Sequence, residues 1–423
     1  MRIFGVILPA ATGHFNPIAA LAHRLQAQGH RPVFLMVRDW QQQVEAEGFD
    51  YYPVLEAECP PGSWAGILAK VSALDGQANL KYTIEYYERE ARALFRDIPA
   101  AVEALGIEAL LIDQTVFAGS TVAEYLGLPF VTVCCALALN RELDIPPAPS
   151  PWDYRPDLWG RVRNRVGYAT LDWLTRKLWR TLQQQRAHWH LPRRTRWGGT
   201  DSPFAQISQQ PSGFDFPRRQ LPRHFHYTGP LRGASRSRSP AFPFERLAGQ
   251  PVLYASLGTI QNRRPEIFKL IAAACAGLGV QLVIAHGGGL DERTVADLPG
   301  DPIAVAYAPQ LEVIQRSTAV LTHAGLNTTL DALTLGLPVV ALPQVHEQPA
   351  IARRILWTGT GGVLWPAQLN PDALRSLIVR VIEEPAYREA AGRLKAEIAG
   401  SGGVERAAQI CEQVFVGRKV LAD

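Results

Sequence analysis

Residues 322–348 read T-H-A-G-L-N-T-T-L-D-A-L-T-L-G-L-P-V-V-A-L-P-Q-V-H-E-Q and place an imidazole, an amide, hydroxyls and a carboxylate in and just after one turn. Residues 318–322 read as a short buried strand, and 326–335 carry helical apolar spacing that stops at Gly336 and Pro338. The turn between them therefore opens a helix, and Gly325 allows a tight turn or a close backbone approach. Unpaired N–H groups and the positive dipole end at such a turn favour a diphosphate, to which His323, Asn327 and Thr328 add side-chain donors. Asp331 follows Asn327 by four residues and Thr328 by three, so it shares their helix face and suits the vicinal hydroxyls of a ribose. Past the strand at 339–342, Glu347 and Gln348 lie on a loop at a carboxyl strand end, where open α/β sheets hold ligands and where they could take sugar hydroxyls. Diphosphate, ribose and sugar together outline a nucleotide-sugar site.

At these residues the chain resembles the inverting, UDP-sugar-dependent glycosyltransferases, the family of plant, macrolide and carotenoid glucosyltransferases. The resemblance implies that His323, Gly325, Asn327 and Thr328 bind the diphosphate and that Asp331 stands for a ribose carboxylate that is usually Glu. It also implies that Glu347-Gln348 stands for a sugar-binding Asp-Gln pair. Upstream, Tyr307-Ala308-Pro309-Gln310 sits where the family has an aromatic-x-Pro-Gln element, with Tyr in place of the commoner Trp of plant members. That match implies Tyr307 stacked on uracil, the Ala308 backbone paired with its edge and Gln310 on the ribose. Ala255-Ser256-Leu257-Gly258-Thr259 ends the strand-like run 251–254 and resembles the family's S-x-G-[ST] loop, which closes over the phosphates. Taken singly, Ser256 and Thr259 read as turn residues and Glu347 as a solvated charge; within the ordered set they read as ligands. His286-Gly287-Gly288-Gly289 either lines the same cleft or forms an ordinary turn.

Displacement at an anomeric carbon needs a base for the acceptor hydroxyl and stabilisation of the departing diphosphate. His14 is the candidate base: it follows Gly13 after the first strand, and Asn16-Pro17 reads as an N-cap and a first helical residue. Such a histidine gains from a carboxylate that orients the ring, and Asp113, at the end of the strand 110–112, is suitably placed on a neighbouring carboxyl edge. The resemblance implies this His14–Asp113 dyad, and with it a one-step inverting substitution that turns an α-linked UDP-sugar, UDP-glucose first, into a β-glycoside. The UDP-sugar is a co-substrate, and neither a resident cofactor nor a metal is implied.

These groups must be carried by alternating strands and helices. Strand-like runs at 3–8, 31–36, 109–112 and 130–134 alternate with helical ones at 17–28 and 119–126, which argues for a parallel sheet covered on both faces; the C-terminal half repeats the pattern. At 423 residues two domains are the natural division. Residues 1–230 are assigned to an acceptor domain, 231–247, rich in Arg, Ser and Pro, to a linker, and 248–423 to a donor domain whose last helix returns to the first. The family also has a Gly-Pro element where Gly229-Pro230 stands, and the implied fold is α/β: two doubly wound, Rossmann-like domains facing a cleft, the GT-B arrangement.

Composition narrows the setting. The small excess of 43 Lys and Arg over 39 Asp and Glu, without a recognised module, gives no footing for nucleic-acid binding. The start of the chain reads as a strand rather than a secretory segment, no run is long enough to span a bilayer, and Cys59, Cys134, Cys135, Cys275 and Cys411 lack metal-ligand spacing. A cytoplasmic protein is expected. Residues 151–197 are dense in Arg and Trp, with few acids; they suit either contact with a membrane interface or a helical excursion packed on the core and lining an acceptor pocket. The resemblance to the bacterial macrolide and zeaxanthin branch implies a lipophilic hydroxylated acceptor, a carotenoid before a phenolic, flavonoid or macrolide. An enzyme of the UDP-GlcNAc epimerase type, or a nucleotide-sugar binding protein without catalysis, are the competing readings; the His14–Asp113 pair argues against the latter, because binding alone needs no base.

Overall fold

The computed structural model describes residues 1–423 except 75, 195–199, 234–239, 248, 260–261 and 418–423. Trp197 and residues 234–239 of the expected linker therefore lie outside the described residues. The first half of the chain runs β1 (Ile3–Ile7), α1 (Thr12–Ala27), β2 (Arg31–Met36), α2 (Gln41–Ala46), β3 (Asp50–Pro53), α3 (Trp64–Ala73), α4 (Gly76–Leu105), β4 (Ala109–Asp113), α5 (Gly119–Tyr125), β5 (Phe130–Cys134), α6 (Leu158–Leu174), α7 (Arg176–His188), β6 (Ala205–Ser208) and β7 (Phe225–Tyr227). The second half runs β8 (Val252–Ser256), α8 (Pro265–Cys275), β9 (Gln281–Ala285), α9 (Glu292–Ala296), β10 (Ile303–Val305), α10 (Gln310–Gln315), β11 (Ala319–Thr322), α11 (Leu326–Thr334), β12 (Val339–Ala341), α12 (Gln348–Thr358) and β13 (Gly361–Val363). It closes with α13 (Pro371–Glu383), α14 (Pro385–Gly400) and α15 (Gly403–Gly417).

Among the described residues the strands form two sheets, of order β3-β2-β1-β4-β5-β6-β7 and β10-β9-β8-β11-β12-β13. Every ladder is parallel, as continuous apolar runs such as Ala109–Asp113, buried at each position, require of strands covered on both faces. The expected pair of doubly wound, Rossmann-like units is what the chain builds. Each sheet has a switch point where the strand order reverses, between β1 and β4 in the first and between β8 and β11 in the second, and there the loops after neighbouring strands diverge and leave a crevice. Ile7 pairs with Ile112, and Ser256 with Thr322, so the chain leaves each switch point at His14, Asp113, Ser256 and His323. From α15, Ile410, Cys411 and Phe415 pack into the core around β1, beside Phe4 and α1.

The first loop is shorter than its sequence suggests. The expected helix start at Pro17, with Asn16 as cap, is corrected: α1 begins at Thr12, after Ala11 in an extended conformation. The Ala11 carbonyl accepts from His14 and Phe15 N–H at 3.0 and 2.9 Å, which closes a turn earlier and puts His14 in the first turn of the helix. Pro17 then sits inside the helix without an N–H for the Gly13 carbonyl four residues back. That carbonyl instead accepts from Asn327 Nδ2 at 2.6 Å, a contact from the second half of the molecule.

Candidate active site

On the first sheet, His14 Nδ1 lies 2.7 Å from Asp113 Oδ2, with the histidine side chain 21% exposed and the aspartate fully buried. The other carboxylate oxygen of Asp113 accepts from Thr115 N–H at 2.8 Å and from Thr115 Oγ1 at 2.6 Å. With both its oxygens committed, Asp113 takes the Nδ1 proton as a hydrogen bond and leaves Nε2 of His14 as the free lone pair. Burial by itself pushes the imidazole down, but the charge and hydrogen bond of Asp113, joined by Glu347 and Glu90, outweigh it and hold the pKa above its ordinary 6.5. Burial likewise pushes Asp113 up, and His14 and Thr115 more than reverse it, leaving the carboxyl below the usual range.

Ligating atoms of His14, Asp113 and Cys135 lie within 4.8 Å of one another. The donor set is poor for a cation: burial, then the Asp113 charge, push the Cys135 thiol well up, so it is protonated, and its Sγ sits 3.7 Å from the His14 carbonyl as an S–H donor. The geometry is that of a hydrogen-bonded base.

On the second sheet, β11 turns into α11 through Ala324 in the left-handed region at φ 64°, and Gly325 is the extended residue before the helix. No side chain caps α11 and no acid lies in its first turn, so its leading N–H groups are left for an anion. The histidine ring beside them is sandwiched between glycines: a Cβ on Gly325 would sit 2.5 Å from the ring of His323, and one on Gly258 2.7 Å from it. Close approach to the ring, and not φ, is therefore why Gly stands at 325. Burial drives the pKa of His323 down to about 4 despite the Ser256 backbone and Glu347, so the ring is a neutral N–H donor at physiological pH.

Two expected ligands are already engaged. Asp331 accepts from Arg232 Nε at 2.7 Å and from Gln310 Nε2 at 2.6 Å, while Gln310 Oε1 accepts from the Tyr254 hydroxyl at 2.9 Å. Asn327 reaches Gly13 with its amide N–H and accepts from Gln209 Nε2 at 2.9 Å through Oδ1. The expectation of open side chains facing a ribose and a diphosphate is therefore modified: both belong to a polar chain that runs from Tyr254 to Gly13 and joins the two sheets' carboxyl edges.

The remaining positions fall around this chain. Tyr307 is 58% exposed and donates from its hydroxyl to the Gly287 carbonyl at 3.3 Å, so its ring stands open beside the 286–289 turn. His286 itself is buried, with Nδ1 accepting from Leu290 N–H at 3.2 Å, which makes it part of that turn. Ala308 is half-buried against the second core. Ser256 Oγ accepts from Gly258 N–H at 3.2 Å, Thr259 is exposed and Thr328 is buried. Glu347 is the residue before α12, and its charge acts on both His14 and His323. Gln348 spends its amide oxygen on Gln344 and Val345 N–H, at 2.8 and 3.1 Å, fixing the loop that presents Glu347.

Four participants escape the sequence reading: Thr115, Glu90, Gln209 and Arg232. Thr115 carries a signal, since Asp-x-Thr after a strand is the pattern of a side chain that bonds the backbone two residues on. Glu90 lies on α4, buried, on a small cavity with Tyr86, Leu8 and Val116, and burial pushes it up to about 8 even though Tyr86 and His14 favour its charged form. Nothing in spacing separates it from the exposed acids of the same helix.

Residues 271–414 match the family described as erythromycin biosynthesis protein CIII-like, C-terminal domain. Over its length the chain is 33% identical to the zeaxanthin glucosyltransferase of Pantoea ananas, covering 100% of this chain and 98% of that protein. The protein of the same name from Pseudescherichia vulneris is 33% identical over 99% of each. Among solved structures, the calicheamicin glycosyltransferase CalG4 superposes with a TM-score of 0.70 at 25% identity over 99% of both chains. The glycotransferase of kitacinnamycin gives 0.76 at 20% identity, covering 97% of this chain and 98% of that one, a likeness of fold alone.

Proposed function

Since this chain belongs to the inverting GT-B glycosyltransferases, enzymes that use a nucleotide-sugar donor, we propose that it moves glucose from UDP-glucose to a hydroxyl of a lipophilic acceptor, a carotenoid such as zeaxanthin, and yields a β-glucoside. The observation that carries this reading is the buried Asp113 bonded at 2.7 Å to His14, set at one switch point and tied through Gly13 to the uncapped donor helix at the other. The 33% identity to zeaxanthin glucosyltransferases along the whole chain supports the acceptor. Five free, buried cysteines suit a reducing cytoplasm.

In this reading His14 Nε2 takes the proton of the acceptor hydroxyl while its oxygen attacks the anomeric carbon from the face opposite UDP. One C–O bond forms as the bond to the diphosphate oxygen breaks, so the anomeric centre inverts and the electron pair leaves with UDP. Asp113 keeps the ring in the productive tautomer and stabilises the imidazolium as it forms. The charge that builds on the departing diphosphate falls at the N-terminus of α11, where neutral His323 donates an N–H, Asn327 and Thr328 present leading backbone N–H groups, and the hydroxyls of Thr328, Ser256 and Thr259 add donors. Tyr307 offers its open ring to the uracil, the bonded pair Gln310–Asp331 borders the ribose with the lone pairs Asp331 has left, and Glu347 with the amide N–H of Gln348 takes hydroxyls of the glucose. No step asks for a metal.

The test is UDP release from UDP-glucose with and without zeaxanthin or a simple phenol, with the product identified by mass. Release that requires the carotenoid supports the reading; release that requires only the phenol moves the acceptor class. Acceptor-independent release, or isomerisation of the sugar on UDP, contradicts transfer.

A further inference from the structure

The helix α6 is amphipathic with its apolar side turned outward. Leu158, Trp159, Val162, Val166 and Trp173 are 72, 74, 47, 61 and 61% exposed. At 3.6 residues per turn they fall on one side of the helix, with Arg161 and Arg165 along one border and Arg163 along the other. The opposite side is the packed one: Gly160 and Asn164 are buried, a Cβ on Gly167 would sit 2.6 Å from the Trp152 ring, and the Tyr168 hydroxyl donates to the Ile145 carbonyl at 3.0 Å. A side chain cap holds the helix start, Asp157 accepting from Gly160 N–H at 2.7 Å, so this surface is built on a fixed element.

Charge tells what would cover it. Asp144 and Asp153 partly neutralise Arg161 and Arg163, whereas Arg165, Arg176 and Arg180 carry no ion pair among the described residues. Arg176 lies over the Trp173 ring at 4.4 Å, a cation beside an aromatic at the edge of an apolar stripe. A second protein copy would bring the same uncompensated cations against each other. Tryptophan and arginine around an outward apolar helix face match an anionic lipid surface instead, into which the apolar side chains sink while the guanidinium groups stay at headgroup level. The described helices include none long and apolar enough to cross a membrane, so contact at the interface is the geometry available.

We propose that α6 docks this protein on an anionic bilayer, apolar face down. The segment leading into α6 is held against α12, because Arg353 donates to the Pro151 carbonyl at 2.5 Å and Tyr154 packs on Trp357. Docking there brings the protein to where a lipophilic hydroxyl compound resides; the binding itself goes beyond the proposed reaction and stands without it.

The experiment is sedimentation of the full chain with vesicles of phosphatidylcholine alone and of phosphatidylcholine mixed with phosphatidylglycerol, for the parent, for Trp159→Glu with Val166→Glu, and for Arg165→Gln with Arg180→Gln. The parent binds the anionic vesicles more than the neutral ones and is released by salt, and each double variant partitions roughly tenfold more weakly. Melting temperature of the variants checks that they fold. Parent and apolar-face variant sedimenting alike overturns the proposal. So does a parent that ignores vesicles while forming a concentration-dependent dimer that the apolar-face variant abolishes, which would assign the face to a second copy.

Discussion

His14 faces the cleft with Nε2 because Asp113, held by two bonds from Thr115, fixes Nδ1 as the protonated nitrogen. With His14 as the proposed base on the acceptor side, replacing it by Ala lowers kcat by roughly 10²- to 10⁴-fold while UDP binding survives; turnover and a UDP titration measure the two effects. A histidine in that proposed role must be unprotonated, and the pKa of His14 lies above 6.5, so kcat/KM climbs as pH rises through a limb above that value. In Asp113→Asn the charge that raises the imidazole is gone and burial is left pushing down, so the limb moves to lower pH while kcat falls. A limb that stays in place in this variant removes Asp113 from the account. Glu90 offers a test of stability. Its pKa in the fold is about 8 against an ordinary 4.5, so the folded chain keeps a proton that the unfolded chain has lost between those values. Stability therefore declines as pH rises from 4.5 toward 8, by on the order of 1 kcal/mol per unit, and Glu90→Gln flattens that slope in melts across the interval.

The elements that carry the site were legible in the sequence where hydrophobic pattern alone decides them. β1, β2, β4, β5, β8, β9 and β11 are apolar runs ended by turn residues, and the polar set at their ends followed from position. The edge strands β3, β7, β10 and β13, and β6 beside β7, were not, because three or four residues do not establish a period. The start of α1 was misplaced by Pro17, which ordinarily marks a first turn; here the carbonyl it leaves unbonded is taken by Asn327 from 314 positions away, and no local pattern records that. Asp331 and Asn327 were placed on the right helix face, yet their partners Arg232 and Gln209 come from other elements and bear no spacing signal. Gly325 is the clearest element-scale test. A methyl group there meets the His323 ring at 2.5 Å, so Gly325→Ala must displace the ring or the start of α11. The expected outcome is a rise of up to roughly 10²-fold in KM for UDP-glucose with the fold retained, read from kinetics and far-UV circular dichroism.

At the scale of the molecule, two parallel sheets are useful only if their carboxyl edges are held in register across the cleft. The polar chain from Tyr254 through Gln310, Asp331 and Arg232 to Asn327 and Gly13 is one tie. A second is the buried cluster in which Arg354 of α12 donates to Asp215 Oδ1 at 2.9 and 2.6 Å, while Arg218 and the Tyr227 hydroxyl hold Oδ2 at 2.9 and 3.0 Å. Burial would raise Asp215, but the two guanidinium groups hold it far below the usual carboxylate range. Asp215→Ala leaves two buried cations facing each other and costs about 3–5 kcal/mol in chemical denaturation, with the two halves melting apart; a loss below 1 kcal/mol would show that the cluster is not the tie.

The proposed reaction is direct displacement by an acceptor oxygen that His14 deprotonates, on the face of the sugar opposite the diphosphate. The measurement that tests this most directly is the anomeric configuration of the glucoside made from UDP-glucose and zeaxanthin, read from the coupling of its anomeric proton. Direct displacement gives a β-linked product with one UDP released per glucoside, and an α-linked product would rule it out.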